Sequence, residues 1–421
     1  MKYGVIVVTP IENKGSRPFI NIGDMVQTVA VLDIYKRMGI PDCDIVRVEL
    51  NSIDKYDGEQ VILPININLS LNWIIDVFPL PSNITPVFIG LSYFAATDLP
   101  KSVADYFKKY SPIGCRDEAT YNLMRKNGID AYLAGCVTFT INNSPESYDE
   151  REKDTVYLVD VDDTVEKLLP GNIIEGRRIE KGTHIYRGDD CYDISKMEHM
   201  TRELLHNYSK AALVVTSRLH CMSPCLAMGT PTVPIMSNIS PRMGWIDKFS
   251  PIYTYWKKDE IDFSGVVFKN DGIKEKMEEV IVSRLRGEYV EPQKLQYLTD
   301  YFQNRQRCLY GNYYQMKLEE VSDRFKNGDD YFIWGAGQIG MNSTDVIENM
   351  YPDSRLVAVI DTYAAGDFKG IQIEKPIDIE KYKGIYCLIT TYSGSSYARE
   401  YLERMGFAEG KDYYDISSVN G

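Results

Sequence analysis

Val214-Val215-Thr216-Ser217-Arg218-Leu219-His220, followed by Ala227-Met228-Gly229-Thr230-Pro231, is the stretch on which the fold turns. It reads as a buried strand that stops at a polar cluster and then opens a helix, the repeating unit of an α/β protein. A helix start offers unpaired backbone N–H groups and a partial positive charge, so anions settle there. An arginine and a histidine in that first turn add a fork of donors and a proton carrier. Pro224 lies inside the helix and disturbs its first turns.

Outward from this stretch, short Val- and Ile-rich runs alternate with segments of helical period. Gly4–Thr9 is a first strand, residues 13–23 a polar loop, and Asp24–Met38 a helix with Val26, Val29, Ala30 and Ile34 on one face. Further strands are expected at Pro86–Gly90, Pro112–Cys115 and Ala131–Ala134, with a helix over Asp117–Lys126. In a second series, strands at Val156–Val159, Gly182–Ile185, Ala212–Val215 and Thr232–Ile235 accompany helices Ser195–Tyr208 and Arg218–Met228. A third unit starts at Tyr331, where Ile333-Trp334-Gly335-Ala336-Gly337-Gln338-Ile339-Gly340 links a strand to a helix. The reading is α/β, with two Rossmann-like halves at 1–145 and 146–288, a helical linker at 289–328 and a small Rossmann-like domain at 329–421.

At 421 residues the chain exceeds one ordinary core. Its 44 % hydrophobic and 25 % charged residues are those of a soluble globular protein. With 47 Lys and Arg against 60 Asp and Glu, the formal charge is −13, which argues against nucleic acid as the main partner. No stretch approaches the roughly 20 apolar residues of a membrane helix. The first apolar run is too short for a signal peptide. Eight cysteines lack any Cys-x-x-Cys pair, which suits a reducing cytoplasm.

Several turns carry candidate chemistry. Asn21-Ile22-Gly23-Asp24 precedes a helix: Gly23 allows close approach of a ligand, and Asn21 or Asp24 can bond hydroxyls, although capping serves them equally. Arg116, in Gly114-Cys115-Arg116-Asp117, faces the same cleft or makes a surface ion pair. Gly135-Cys136-Val137-Thr138 is a pocket floor or a tight turn, and His184 closes a strand. Arg242, in a Gly-containing loop, is a second cation or a solvated one. Cys221 and Cys225 lack a fourth ligand nearby, so no metal is expected. Gly335, Gly337 and Gly340 with Asp361 fit the dinucleotide fingerprint in spacing, in a unit too short for a whole dinucleotide.

This ordered set resembles the polysaccharide pyruvyl transferase family. The resemblance runs through Asn21-Ile22-Gly23-Asp24, Ile113-Gly114-Cys115-Arg116-Asp117 with Thr120, Gly135-Cys136-Val137-Thr138, Thr183-His184 and Ser217-Arg218-Leu219-His220, over about Met1 to Val280. It implies a fold similar to GT-B glycosyltransferases, with two Rossmann-like domains over a cleft. It also implies transfer of the enolpyruvyl group of phosphoenolpyruvate to two sugar hydroxyls as a ketal, in surface polysaccharide (exopolysaccharide or capsule) biosynthesis. By that resemblance Arg218, with Ser217 and Leu219, takes the donor's anionic groups and Arg116 is a second anion contact. His220 handles a proton or the leaving phosphate, Asp24 or Asn21 the acceptor hydroxyl, and His184 stands in for the proton role.

No cofactor is required beyond the phosphoenolpyruvate donor. The acceptor is a sugar or glycan, lipid-linked or free, and a lipid-linked one would bring the cytoplasmic enzyme to the inner face of the membrane. The C-terminal unit resembles small nucleotide-sugar-binding domains, which implies a nucleotide or nucleotide-sugar ligand or a homo-oligomer contact. Rival readings are a nucleotide-sugar glycosyltransferase, a non-catalytic nucleotide-binding scaffold and an NAD-dependent redox enzyme. Against the first, Asp247 is the one acidic residue between Leu204 and Tyr255.

Overall fold

The computed structural model describes residues 2–10, 18–67, 77–93, 99–142, 154–236, 246, 249–254, 261–391 and 394–417. They fall into two compact units, one within residues 2–306 and the other within Arg307–Gly421.

The first unit opens with strands β1 (Lys2–Val7), β2 (Phe19–Asn21), β3 (Ile45–Glu49), β4 (Val61–Ile65), β5 (Ile84–Leu91), β6 (Ile113–Cys115) and β7 (Ala131–Leu133). All but β2 form one parallel sheet in the order β3-β1-β4-β5-β6-β7. The chain continues through β8 (Thr155–Val159), β9 (Arg178–Gly182), β10 (Ile185–Arg187), β11 (Leu213–Thr216), β12 (Thr232–Met236) and β13 (Tyr253–Thr254). Here the parallel order is β13-β12-β11-β8-β9. Both orders are doubly wound, and each reverses beside its first strand, where the open carboxyl ends make a ligand crevice. In the second sheet that place lies between β8 and β11. Strands such as β11 and β12 are buried throughout, because helices cover both faces of such sheets.

Helix α1 (Ile22–Arg37) is expected to bury one face, and instead almost its whole surface is buried. After α2 (Lys101–Lys109), α3 (Glu118–Lys126) and α4 (Gly171–Ile174) come α5 (Ile194–Lys210) and α6 (Leu219–Ala227), two helices of the second half against which α1 packs, as it does against β1. One core therefore combines Val5 and Ile34 with Val159, Val214 and Cys221. Arg47–Glu198 and Arg202–Asp33, each at 2.8 Å, cross the same seam.

Two local expectations change. Within residues 13–23, Phe19–Asn21 is a strand that pairs antiparallel with β10, and α1 begins at Ile22. The expected strand Gly182–Ile185 is broken at Thr183 and His184, because β10 turns out of the second sheet to meet β2. The polar, charged stretch Asn142–Asp154, expected as the crossover between the two halves, is described only at its two end residues, and Arg242 lies outside the described residues.

In the second unit β14 (Tyr331–Trp334), β15 (Leu356–Ile360), β16 (Asp367–Phe368), β17 (Ile371–Glu374), β18 (Tyr386–Ile389) and β19 (Tyr413–Asp415) pair in the order β16-β17-β15-β14-β18-β19. Only β16 is antiparallel. Phe332, Trp334, Ile360 and Leu402 fill its core. Among the described residues, no helix is long and apolar enough to cross a membrane.

Candidate active site

At the crevice of the second sheet, β8 runs out into Asp160 and β11 into Ser217 and Arg218. Asp160 sits in the left-handed region with φ 51°, where aspartate is tolerated but few residues rest without support. Its Oδ2 accepts Nε–H of Arg218 and the backbone N–H of His184, both at 2.8 Å. Its carbonyl accepts the Ser217 hydroxyl at 2.5 Å. Burial pushes the Asp160 carboxyl up, but His184, Thr183 and Arg218 together hold it below the ordinary value.

Arg218 is the N-cap of α6 and supplies no side-chain cap, so the first N–H groups of the helix are left for another acceptor. Leu219 packs into the interior. His220, one residue on, is 7 % exposed, with Nδ1 3.6 Å from Asp24 Oδ1 and Nε2 without a hydrogen-bond partner.

The start of α1 meets α6 here. Asn21 caps α1 by accepting from Gly23 N–H at 3.0 Å, and its side-chain amide donates to Asp24 Oδ2 at 3.1 Å. Capping and site-building are thus one arrangement, since the cap aims Asp24. A Cβ on Gly23 would lie 2.8 Å from His184 Nδ1 and 3.3 Å from His220 Cβ, so the absent side chain makes the space the two rings occupy. His184 is fully buried; its Nε2 lies 3.2 Å from Tyr208 Oη, and its Nδ1 has no partner.

From the first sheet comes Arg116, immediately after β6. Its side chain is 0 % exposed. Nη2 donates to Gln27 Oε1 at 2.6 Å and also to the Asn66 carbonyl, while Nε and Nη1 have no partner. Buried donors normally find acceptors, and this guanidinium keeps two nitrogen atoms able to donate to an acceptor beyond the protein's own groups. Cys136 follows β7 and lies beside both Arg116 and His220, with its sulfur accepting from Thr138 Oγ1 at 3.1 Å. Burial raises the Cys136 thiol, but Arg116 and His220 bring it down to about 6. Burial lowers the His220 imidazole in turn, and Asp24 and Cys136 outweigh it and hold the ring above its ordinary value. The site favours an imidazolium beside carboxylate and thiolate.

The structure therefore gathers Asn21, Gly23, Asp24, Arg116, His184, Ser217, Arg218 and His220 in one unit. Two members of the cluster are absent from the sequence-based set. Asp160 looks there like one of several loop acids, and only its place after a strand at the order reversal marks it. Cys136 stands in the Gly135–Thr138 motif with nothing in the sequence to mark its chemistry, because Arg116 and His220 reach it from distant segments. Among the described residues, no group of three or more His, Cys, Asp or Glu is arranged to hold a metal ion.

The Gly-rich turn stands in the other unit. Gly335 has φ 124° and packs on the Thr390 backbone, and Gly340 lies against the Gly335 carbonyl, so both serve close strand–helix packing. Gly337 faces open space. Asp361 accepts Ala336 N–H at 2.9 Å on one oxygen, and Tyr363 and Ala364 N–H on the other, which ties its carboxylate to the loop itself.

The doubly wound parallel sheets and the helices packed on them define an α/β protein in which Arg116, Arg218 and His220 belong to one unit. The chain belongs to the polysaccharide pyruvyl transferase family, whose model matches residues 21–238. No curated protein matches the sequence. Among solved structures it is similar to UDP-GlcNAc 2-epimerase of Methanocaldococcus jannaschii, determined with UDP-GlcNAc and UDP. The two are 10 % identical with a TM-score of 0.35, over 67 % of this chain and 99 % of that one.

Proposed function

We propose that the protein moves the enolpyruvyl group of phosphoenolpyruvate onto two hydroxyls of a sugar, free or lipid-linked, giving a cyclic pyruvate ketal and phosphate. The observation that carries this reading is Arg116, a fully buried guanidinium with two unpartnered donor atoms that, like His220, lies beside Cys136. Phosphoenolpyruvate supplies the two anionic groups that Arg116 and Arg218 call for. The imidazolium of His220 gives its proton to the methylene carbon, leaving a cation at the central carbon that the first hydroxyl attacks. Asp24, 35 % exposed and oriented by Asn21, accepts the hydroxyl proton and returns it to His220. The bond from the central carbon to the bridging oxygen then breaks with its electron pair going to the departing phosphate, and the second hydroxyl attacks that carbon and gives its proton to the phosphate, which closes the ketal. His184 Nδ1 is a second proton acceptor on the same face of Gly23. A phosphoenolpyruvate donor makes the cytoplasm the compartment of action.

The test is incubation with phosphoenolpyruvate and a panel of glycans, reading phosphate release together with a mass gain of one pyruvyl ketal. Turnover with sugar nucleotides alone would remove this proposal in favour of glycosyl transfer.

A further inference from the structure

The two arginines of the site differ electrically. Arg116 bonds only to neutral acceptors, and among the described residues no carboxylate lies within ion-pair distance of it. Arg218 already spends its Nε on Asp160, 2.8 Å away, so its charge is balanced. Among the described residues, its Nη1 and Nη2 atoms make no hydrogen bond, and its side chain is 37 % exposed. Asp160 is itself fixed from three sides. Its carboxylate takes His184 N–H, its carbonyl takes Ser217, and its backbone N–H donates to Gly182 O at 3.0 Å. A non-glycine residue held at φ 51° is one that its surroundings over-determine.

We infer that Asp160 is a positioning residue that directs the donor's phosphate to Arg116 and its carboxylate to the Nη fork of Arg218. This rests on the phosphoenolpyruvate reading above. A phosphate dianion gains most from a buried cation that no carboxylate pairs and whose neighbouring Cys136 thiolate is shared with His220, whereas a carboxylate monoanion suits a planar fork whose charge is already matched. Take away Asp160 and Arg218 becomes a free cation that competes for phosphate. The donor then also binds end for end, with its methylene carbon away from His220.

Isothermal titration of the full chain with inorganic phosphate, beside steady-state phosphate release from phosphoenolpyruvate, tests this. Asp160→Asn is expected to bind phosphate on the order of tenfold tighter while kcat falls by a similar factor and KM for phosphoenolpyruvate does not rise. Asp160→Gly, which accepts the left-handed backbone and lacks the carboxylate, is expected to give the same pair of changes and covers the case in which the asparagine variant misfolds. A role confined to holding the loop would weaken phosphate binding and kcat together. Phosphate affinity unchanged or weaker in both variants overturns the inference. A wild-type chain that releases no phosphate from phosphoenolpyruvate with any acceptor retires the donor reading instead, and the phosphate titrations still report on Asp160.

Discussion

At the start of α1, Gly23 leaves the room that His184 and His220 share, and the consequence of filling it is direct. Gly23→Ala forces a methyl within 3.0 Å of Asn21 Oδ1 and closer still to His184, so the cap and both rings must shift. Overpacking of this kind destabilises by roughly 1–3 kcal/mol. We expect that loss in thermal unfolding, with phosphate release reduced about tenfold or more by the displaced rings. Cys136 acts on the proton instead. It is one of two groups holding His220 above its ordinary value, so Cys136→Ala lowers the pH at which the imidazolium is lost. The alkaline limb of the rate profile is expected to move to lower pH, with the rate well below that limb retained. A profile that keeps its limb in place would separate Cys136 from the proton. At this scale Ser217-Arg218-Leu219-His220 is legible because its chemistry coincides with a strand end. Asp160 is not, since its φ is invisible in sequence and aspartate after a strand is ordinary turn chemistry.

Among the elements, α1 shows why pattern alone falls short. Val26, Val29, Ala30 and Ile34 mark one apolar face correctly, yet Met25, Val31 and Leu32 on other faces are buried as well. A helix that is apolar on most sides belongs inside a core, and here two sheets supply it. Ile34→Ala, at a site with no exposed surface, is expected to cost about 2–5 kcal/mol. Circular dichroism and tyrosine fluorescence should record that loss at one coincident midpoint, because both halves lean on the same helix. Strands β8, β11 and β12 are readable as short β-branched runs, and β14 as an apolar, largely aromatic one. β3 is harder, because it is the edge strand of its sheet and the charged Arg47 and Glu49 break its apolar run. The turn at Thr183 and His184 escapes notice because its cause, the pairing of β10 with β2, is a partner more than 150 residues away.

For the whole molecule, Lys274 of α7 (Ile273–Leu285) is a buried tie between segments. Its Nζ donates to Ile141 O at 3.0 Å and to Ala227 O at 2.7 Å, joining the region after β7 to the end of α6. Burial lowers its ammonium pKa to about 8. Above that pH the native chain releases a proton that the unfolded chain keeps up to the ordinary lysine value. The unfolded state therefore binds more protons in that window, and stability contributed through Lys274 rises with pH across it. Lys274→Met is expected to lose this rise, read as the change in urea midpoint between about pH 7 and about pH 9.5.

The pairing of β2 with β10 reaches further than the packing it secures. Ile22 N–H donates to the His184 carbonyl at 2.7 Å, so the register that places Asn21, Gly23 and Asp24 is written partly in the second half of the chain. Recombination between relatives within 142–154 would separate two segments that pair with each other, and a foreign β10 would carry its own register to β2. What can be inherited intact is the matched pair of segments, and neither half is a module in its own right.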